Sequence, residues 1–288
     1  MLFRSVAKAG AQVVLISGYE HNAVTRPLHA LGASVRVAAS PLFQPKLCLD
    51  AFARDLDWAE VVVCTMVSNV FGYCLPVTEL AALCREKRKP LILDASQAAG
   101  CLPLDFPALG AAFAAMPGHK GLLGPQGTGV LLCAAPGLPL MQGGSGSESV
   151  SQEMPAFLPD RLEAGTPNVT GIAGLLEGVR WLRDRGEKEI LAHERRLTGL
   201  LADRLSRTRA LRVFYGGGES QCGVLSVQHR TQDCAELGYA LSERGVAVRG
   251  GLHCAPLAHR TAGTLERGTV RLSMSPFTTE REIETAAS

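Results

Sequence analysis

The chain has 288 residues, 47% hydrophobic and 19% charged, enough to bury a sizeable core in one large domain or two smaller ones. A net charge of +2, with no basic run interleaved with aromatics, argues against nucleic acid or a membrane surface as partner, and no apolar stretch approaches a bilayer span. Nine cysteines without a CxxC pair argue against a zinc site, and no signal-peptide core precedes the first strand, so a cytoplasmic protein with reduced thiols is expected.

In chain order, the apolar run from Gln12 to Ser17 predicts a strand. A helix over Ala23 to Leu31, a strand over Val35 to Ala38 and a helix over Leu47 to Ala53 follow. Val61 to Met66 reads as a buried strand, Val77 to Lys87 as an amphipathic helix and Leu91 to Leu93 as the next strand. Two more strands are expected at Ala111 to Ala115 and Gly129 to Cys133, before a connection of small and polar residues from Gly143 to about Pro159. This alternation predicts an α/β fold with a mostly parallel sheet covered by helices, whose ligands bind beyond the carboxyl ends of the strands. Helices over Ile172 to Arg185 and Glu187 to Ser206 come next. Strands near Leu211 to Tyr215 and Val224 to Val227, a helix at Asp233 to Arg244, strands near Val246 to Val248 and Thr269 to Ser273, and a last helix from Thr279 complete the pattern. The expected division is a large domain over residues 1–160 and, over 161–288, a linker helix with a smaller C-terminal α+β domain.

The stretch from Leu91 to Val130 carries the chemistry. The run Leu91-Ile92-Leu93 ends on Asp94, Gln97 follows, and His119 and Lys120 stand further on within Pro117-Gly118-His119-Lys120-Gly121. Singly, a strand-terminal Asp is a turn or cap residue, and a Lys among glycines is a solvated surface residue. Together, a carboxylate at a strand end and a lysine in a Gly-rich loop are what pyridoxal 5'-phosphate (PLP) needs. An amine condenses with its aldehyde, and an acid pairs with its ring nitrogen.

With these residues the chain resembles the class V aminotransferases of PLP-dependent transferase fold type I, and most closely their cysteine desulfurase and selenocysteine lyase branch. Further blocks carry the resemblance along nearly the whole chain: Glu20-His21-Asn22, Val67 to Gly72, Arg161 to Asn168, Arg249 to Leu257, and Thr269 to Ser273. The resemblance implies that Lys120 carries the cofactor and then acts as acid or base, that Asp94 holds the ring nitrogen, that Gln97 meets the phenolic oxygen and that His21 stacks on the ring. It places His119 beside the phosphate and Thr166 on the phosphate of a second subunit, hence a homodimer. Asn69, beside both cofactor and substrate, and Arg271, a carboxylate clasp, would receive L-cysteine or a related amino acid. Cys254 would be the nucleophile, with His253 favouring its thiolate or supplying a proton, and sulfur would pass on to an acceptor protein. Chains of this type carry a further segment, with a phosphate-binding loop, ahead of the first strand found here. An N-terminally incomplete chain is therefore expected, and Pro117 stands where a hydroxyl donor is common.

The expected reaction converts L-cysteine to L-alanine and leaves a persulfide on Cys254. Alternatives are a selenocysteine lyase, another class V aminotransferase or lyase in which Cys254 is not the nucleophile, and an inactive truncated homologue that only binds partners.

Overall fold

The structure is a computed structural model and describes residues 13–288. Gln12, assigned above to the first strand, lies outside them. The first sheet is built from β1 (Val13–Ser17), β2 (Ser34–Ala38), β3 (Val61–Thr65), β4 (Leu91–Asp94), β5 (Phe113–Pro117) and β6 (Gly129–Cys133), in the spatial order β2-β1-β3-β4-β5-β6. The first five strands run parallel, and β6 returns antiparallel to β5. Strands of this kind are covered on both faces, which is why they read as unbroken apolar runs. Val14, Ile16, Val61 and Val63 pack with Val24 and Leu28 of α1 (Asn22–Ala30). Their neighbours Leu15, Val62, Cys64 and Leu93 face the other way, into a core that holds Phe52 of α2 (Pro45–Asp55) and Leu80 of α3 (Val77–Glu86). A short α4 (Phe106–Leu109), capped by Asp105, precedes β5.

The second sheet is antiparallel. It contains β7 (Leu211–Phe214), β8 (Val224–His229), β9 (Arg249–Gly251) and β10 (Thr269–Ser273), in the order β7-β8-β10-β9. The helices that accompany it are α5 (Val169–Arg185), α6 (Glu187–Ser206), α7 (Cys234–Ser242), α8 (Pro256–Ala262) and α9 (Glu280–Ala287). Leu197 and Leu201 of α6 and Ile283 of α9 share a core with Leu225, Val227, Val270 and Leu272 of the sheet. A capping box of Thr279 and Glu282 opens α9.

A short hairpin links the sheets. Val67 bridges Cys74, and Tyr73 pairs with Gln221 just ahead of β8. Gly72 turns this hairpin at φ +64°, and a Cβ there would lie 2.3 Å from the Val224 carbonyl oxygen, so the approach requires glycine.

Two strands differ from the sequence reading. The one expected near Val246 to Val248 is found at Arg249–Gly251, where Arg249 and Gly250 pair with Arg271 and Val270. Gly250 lets the strand lie against α7, since a Cβ there would be 2.5 Å from the Cys234 carbonyl oxygen. The strand expected at Ala111 to Ala115 starts at Phe113 and runs to Pro117, because its partners are Ile92 to Asp94 on one side and Gly129–Cys133 on the other. The short helices α4 and α8 were not foreseen. Among the described residues no helix is long and apolar enough to cross a membrane.

Candidate active site

Parallel pairing aligns the strand ends. Thr65 and Asp94 are in register at the ends of β3 and β4, and the chain leaving β1 passes through Glu20 to His21, the N-cap of α1. His21 is half-buried, with Nδ1 accepting from the Ala23 N–H at 3.0 Å. Its pKa is lowered, first by burial and then by the charge of Lys120, while Asp94 opposes the shift. Asp94 accepts from the Ser96 N–H at 2.9 Å. Gln97 stands in the turn beyond.

Lys120 sits in the turn after β5. That turn is pressed onto the turn after Asp94: a Cβ on Gly121 would lie 2.2 Å from the Ala99 carbonyl oxygen. The Lys120 pKa is lowered by burial, with a smaller contribution from Arg271, and the nearby Asp94 carboxylate opposes this. Lys120, Gln97 and Arg271 face a cavity of about 190 Å³ that extends to Cys222 and Glu194.

Arg271 lies mid-strand in β10. Its Nη1 donates to the Asn69 carbonyl at 3.0 Å, and its buried Nε has no partner among the described residues. It makes no ion pair there. Burial, with Arg249 second, lowers its pKa, so the guanidinium is poised for an incoming anion. Asn69 is buried and donates Nδ2 to the His253 carbonyl at 2.9 Å, and its Oδ1 has no partner among the described residues.

Cys254 is exposed, and the Nη2 of Arg249 is 3.7 Å from its Sγ. The Asn22 N–H donates to the Cys254 carbonyl at 2.8 Å, which ties this loop to the start of α1 beside His21. His253 and Cys254 both have positive φ, 52° and 56°. The expectation that His253 favours the thiolate is not met. Its ring is buried, with Nε2 within 3.1 Å of the Thr269 carbonyl and hydroxyl oxygens, and burial followed by the Arg271 charge pushes its pKa down to about 3. Arg249 occupies the position next to sulfur instead.

The structure thus brings together His21, Asn69, Asp94, Lys120, Arg271 and Cys254, with Gln97 on the shared cavity. His119 is exposed in the Lys120 turn. Thr166 is exposed on the turn before α5, whose N-cap Asn168 accepts from the Gly171 N–H. Among the described residues neither makes a hydrogen bond to the cluster. The sequence reading gave no role to three ionisable groups: Arg249, Glu194 and Glu20. Glu194 had a signal, because it falls with Ile190, Leu197 and Leu201 on the buried face of α6.

Glu20 is fully buried. Its Oε1 accepts from the Ser17 hydroxyl and, at 2.7 Å, from the Thr65 N–H, while Oε2 has no partner among the described residues. Burial raises its pKa to about 8, with Asp94 adding to the shift. Burial therefore favours the uncharged acid at Glu20. Stability linked to this proton is fully present below the ordinary carboxylate pKa and is lost as the pH rises to about 8. Glu20→Gln should flatten that dependence. In thermal melts the variant should gain on the wild type from about pH 5 upward, by several degrees at about pH 8. Parallel curves for the two proteins would show that Glu20 folds in as a carboxylate.

An amine, a carboxylate, an amide and a ring at one strand rim, beside an arginine with an unsatisfied Nε, fit PLP with an amino acid. The class-V aminotransferase family profile matches residues 1–285. A probable cysteine desulfurase 2 of Mycobacterium leprae is 32% identical, over 98% of this chain and 69% of that protein. A probable cysteine desulfurase of Xylella fastidiosa strain 9a5c is 34% identical, over 94% of this chain and 67% of that one. Among solved structures, the apo cysteine desulfurase of Thermococcus onnurineus NA1 superposes with a TM-score of 0.87 at 28% identity, covering 95% of this chain and 70% of that one. The Escherichia coli cysteine desulfurase CsdA, in an S-sulfonic acid form, gives 0.86 at 26% identity, covering 100% and 74%. The fold, the rim of strand ends and these similarities together place the chain in the class-V aminotransferase family, with PLP as its cofactor.

Proposed function

We propose that this chain is a cysteine desulfurase: L-cysteine and the Cys254 thiol give L-alanine and a Cys254 persulfide. The observation that carries the reading is the placement of one exposed thiol, beside Arg249, on a loop whose backbone carbonyls accept from the Asn22 N–H of His21's helix and from the Asn69 side-chain amide. When bound, PLP supplies an electron-withdrawing ring that lets bonds to the substrate's carbons break.

The protein's own groups do the rest. Lys120 holds the cofactor, and burial, which lowers its pKa, favours the amine form that takes and returns a proton. Asp94 faces the ring nitrogen, Gln97 the phenolic oxygen and His21 the ring. Arg271 clasps the substrate carboxylate, and the Oδ1 of Asn69, without a partner among the described residues, offers an acceptor beside it. Arg249 places its guanidinium 3.7 Å from the Cys254 sulfur. His119 and Thr166 are assigned to phosphate, His119 from within the Lys120 turn and Thr166 across a dimer interface.

A homodimer is part of the reading. Helix α5 exposes Val169, Ile172, Leu176 and Val179 in one stripe at helical spacing, starting just after Thr166. A second copy laid on this stripe would bring its own Thr166 to the interface, and an acceptor protein would approach Cys254 from solvent.

The test is product analysis. With PLP and L-cysteine, and no reductant, a single turnover should yield alanine and Cys254 persulfide in equal amounts, from a species of dimer mass in sedimentation. Alanine without sulfur on Cys254, or another keto or amino product, would sink the proposal. A Leu176→Glu variant that still sediments as a dimer would remove the α5 interface from it.

A further inference from the structure

Three cysteines converge where the two sheets meet, apart from the groups assigned above. Cys74 closes the linking hairpin, Cys222 lies just ahead of β8, and Cys101 follows the turn after Asp94. The backbone fixes the first two. The Cys74 N–H donates to the Ser220 carbonyl and the Cys222 N–H to the Gly72 carbonyl, each at 3.0 Å, on either side of the Tyr73–Gln221 bridge. Each cysteine is the next residue after a bridge partner, so their side chains leave the paired strands on the same face. Arg195 of α6 is planted beside them: its Nε donates to the Gln221 carbonyl at 2.7 Å and its Nη2 to the Glu219 carbonyl at 2.8 Å.

The three thiols are not equivalent. The Cys222 thiol and the Arg195 charge hold Cys74 below the ordinary thiol pKa against the effect of burial. Cys222 is buried and shifted upward. Cys101 faces the Glu194 carboxyl at 3.9 Å, and burial with that acid raises its pKa to about 12. Cys74 is half-buried, within reach of a small oxidant.

We propose that Cys74 and Cys222 form a reversible redox pair, in which Cys74 reacts with a hydroperoxide and Cys222 resolves the product. The Cys74 thiolate attacks a peroxide oxygen and the O–O bond breaks. Sulfur is oxidised to the sulfenic acid, and the other oxygen leaves as hydroxide or alkoxide and takes a proton. The Cys222 sulfur then attacks the sulfenic sulfur. The S–O bond breaks, and water departs with the Cys222 proton. Two thiols lose two electrons and one peroxide gains them, and a dithiol reverses the change. The new bond clamps the hairpin whose Asn69 carbonyl holds Arg271 onto the strand that lines the Lys120 cavity. It also closes a long chain segment that contains Asp94 and Lys120, so the oxidised protein should melt at a higher temperature than the reduced one.

The experiment treats the PLP-loaded wild-type protein with hydrogen peroxide, blocks remaining thiols by alkylation and digests it without reductant. The expected result is a linked pair of peptides containing Cys74 and Cys222, lighter by two hydrogens than their sum and lost after dithiothreitol. In Cys222→Ser the sulfenic acid should persist on Cys74 and be captured by dimedone, and in Cys74→Ser neither product should form. A Cys101–Cys222 link, or a wild-type protein oxidised at Cys254 with Cys74 still alkylatable, would overturn the proposal. If either variant fails to fold, the wild-type peptide map decides alone.

Discussion

Replacing Lys120 with alanine is expected to remove the borohydride-trapped lysine adduct and the visible absorption of lysine-bound cofactor. Alanine formation should fall by roughly 10³-fold or more, the scale at which a group acting as both attachment point and proton carrier contributes. The amine is half-buried beside Asp94, and among the described residues no second lysine lines the cavity. Asp94→Asn refines the test. Asp94 is the one nearby charge that raises the Lys120 pKa, against burial and Arg271. Removing it should move the pH midpoint of adduct formation lower while most activity is lost, since a neutral amide cannot support a protonated ring nitrogen. An intact adduct in Lys120→Ala would assign the cofactor to another lysine.

Cys254→Ser should retain PLP and bind L-cysteine yet form no persulfide, with sulfur-dependent alanine formation down by roughly 10³-fold. The thiol is exposed next to Arg249, whereas burial raises the pKa of Cys48, Cys64, Cys84 and Cys133. The measurement is paired, because selenium leaves more readily than sulfur. The variant is assayed with L-cysteine and with L-selenocysteine. Loss of the first activity with survival of the second would assign the loop to desulfuration and the remaining machinery to elimination of selenium. Full activity on cysteine in the variant would remove Cys254 from the reaction.

The central sheet was legible because its strands are buried on both faces. Val61 to Cys64 and Leu91 to Leu93 have no polar interruption, so no other element competes for them. Asp94 was legible for the same reason, as the first charge after such a run. The second sheet was harder. In β9 the strand is two glycines and an arginine, and only the pairing with β10 and the tight approach of α7 make it a strand. Helix α8 is short and opens on Pro256, so its periodicity spans too few turns to read. His253 was expected beside the sulfur and Arg249 was given no role, because neighbours in sequence can point apart. His253 turns inward to Thr269, and the residue that meets Cys254 comes from across the turn. Glu20 gave no signal of its protonation state, which depends on how deeply three strand ends bury it.

The paired left-handed residues at 253 and 254 bear on how far the Cys254 side chain can travel. Each left-handed non-glycine residue stores on the order of 1–2 kcal/mol. The tethers that hold them, Asn22 to the Cys254 carbonyl and Asn69 to the His253 carbonyl, are worth about 1 kcal/mol apiece. The strain, about 2–4 kcal/mol for the pair, matches or exceeds the tethers, about 2 kcal/mol together. The loop therefore behaves as a loaded latch: let go of its two hooks, and the backbone relaxes into extended geometry and carries the thiol outward at little net cost. Hydrogen exchange at the Asn22 amide reads the latch directly. Exchange much faster than at the amides inside β1 means that it opens readily, and equal protection means that the Cys254 thiol keeps its seat.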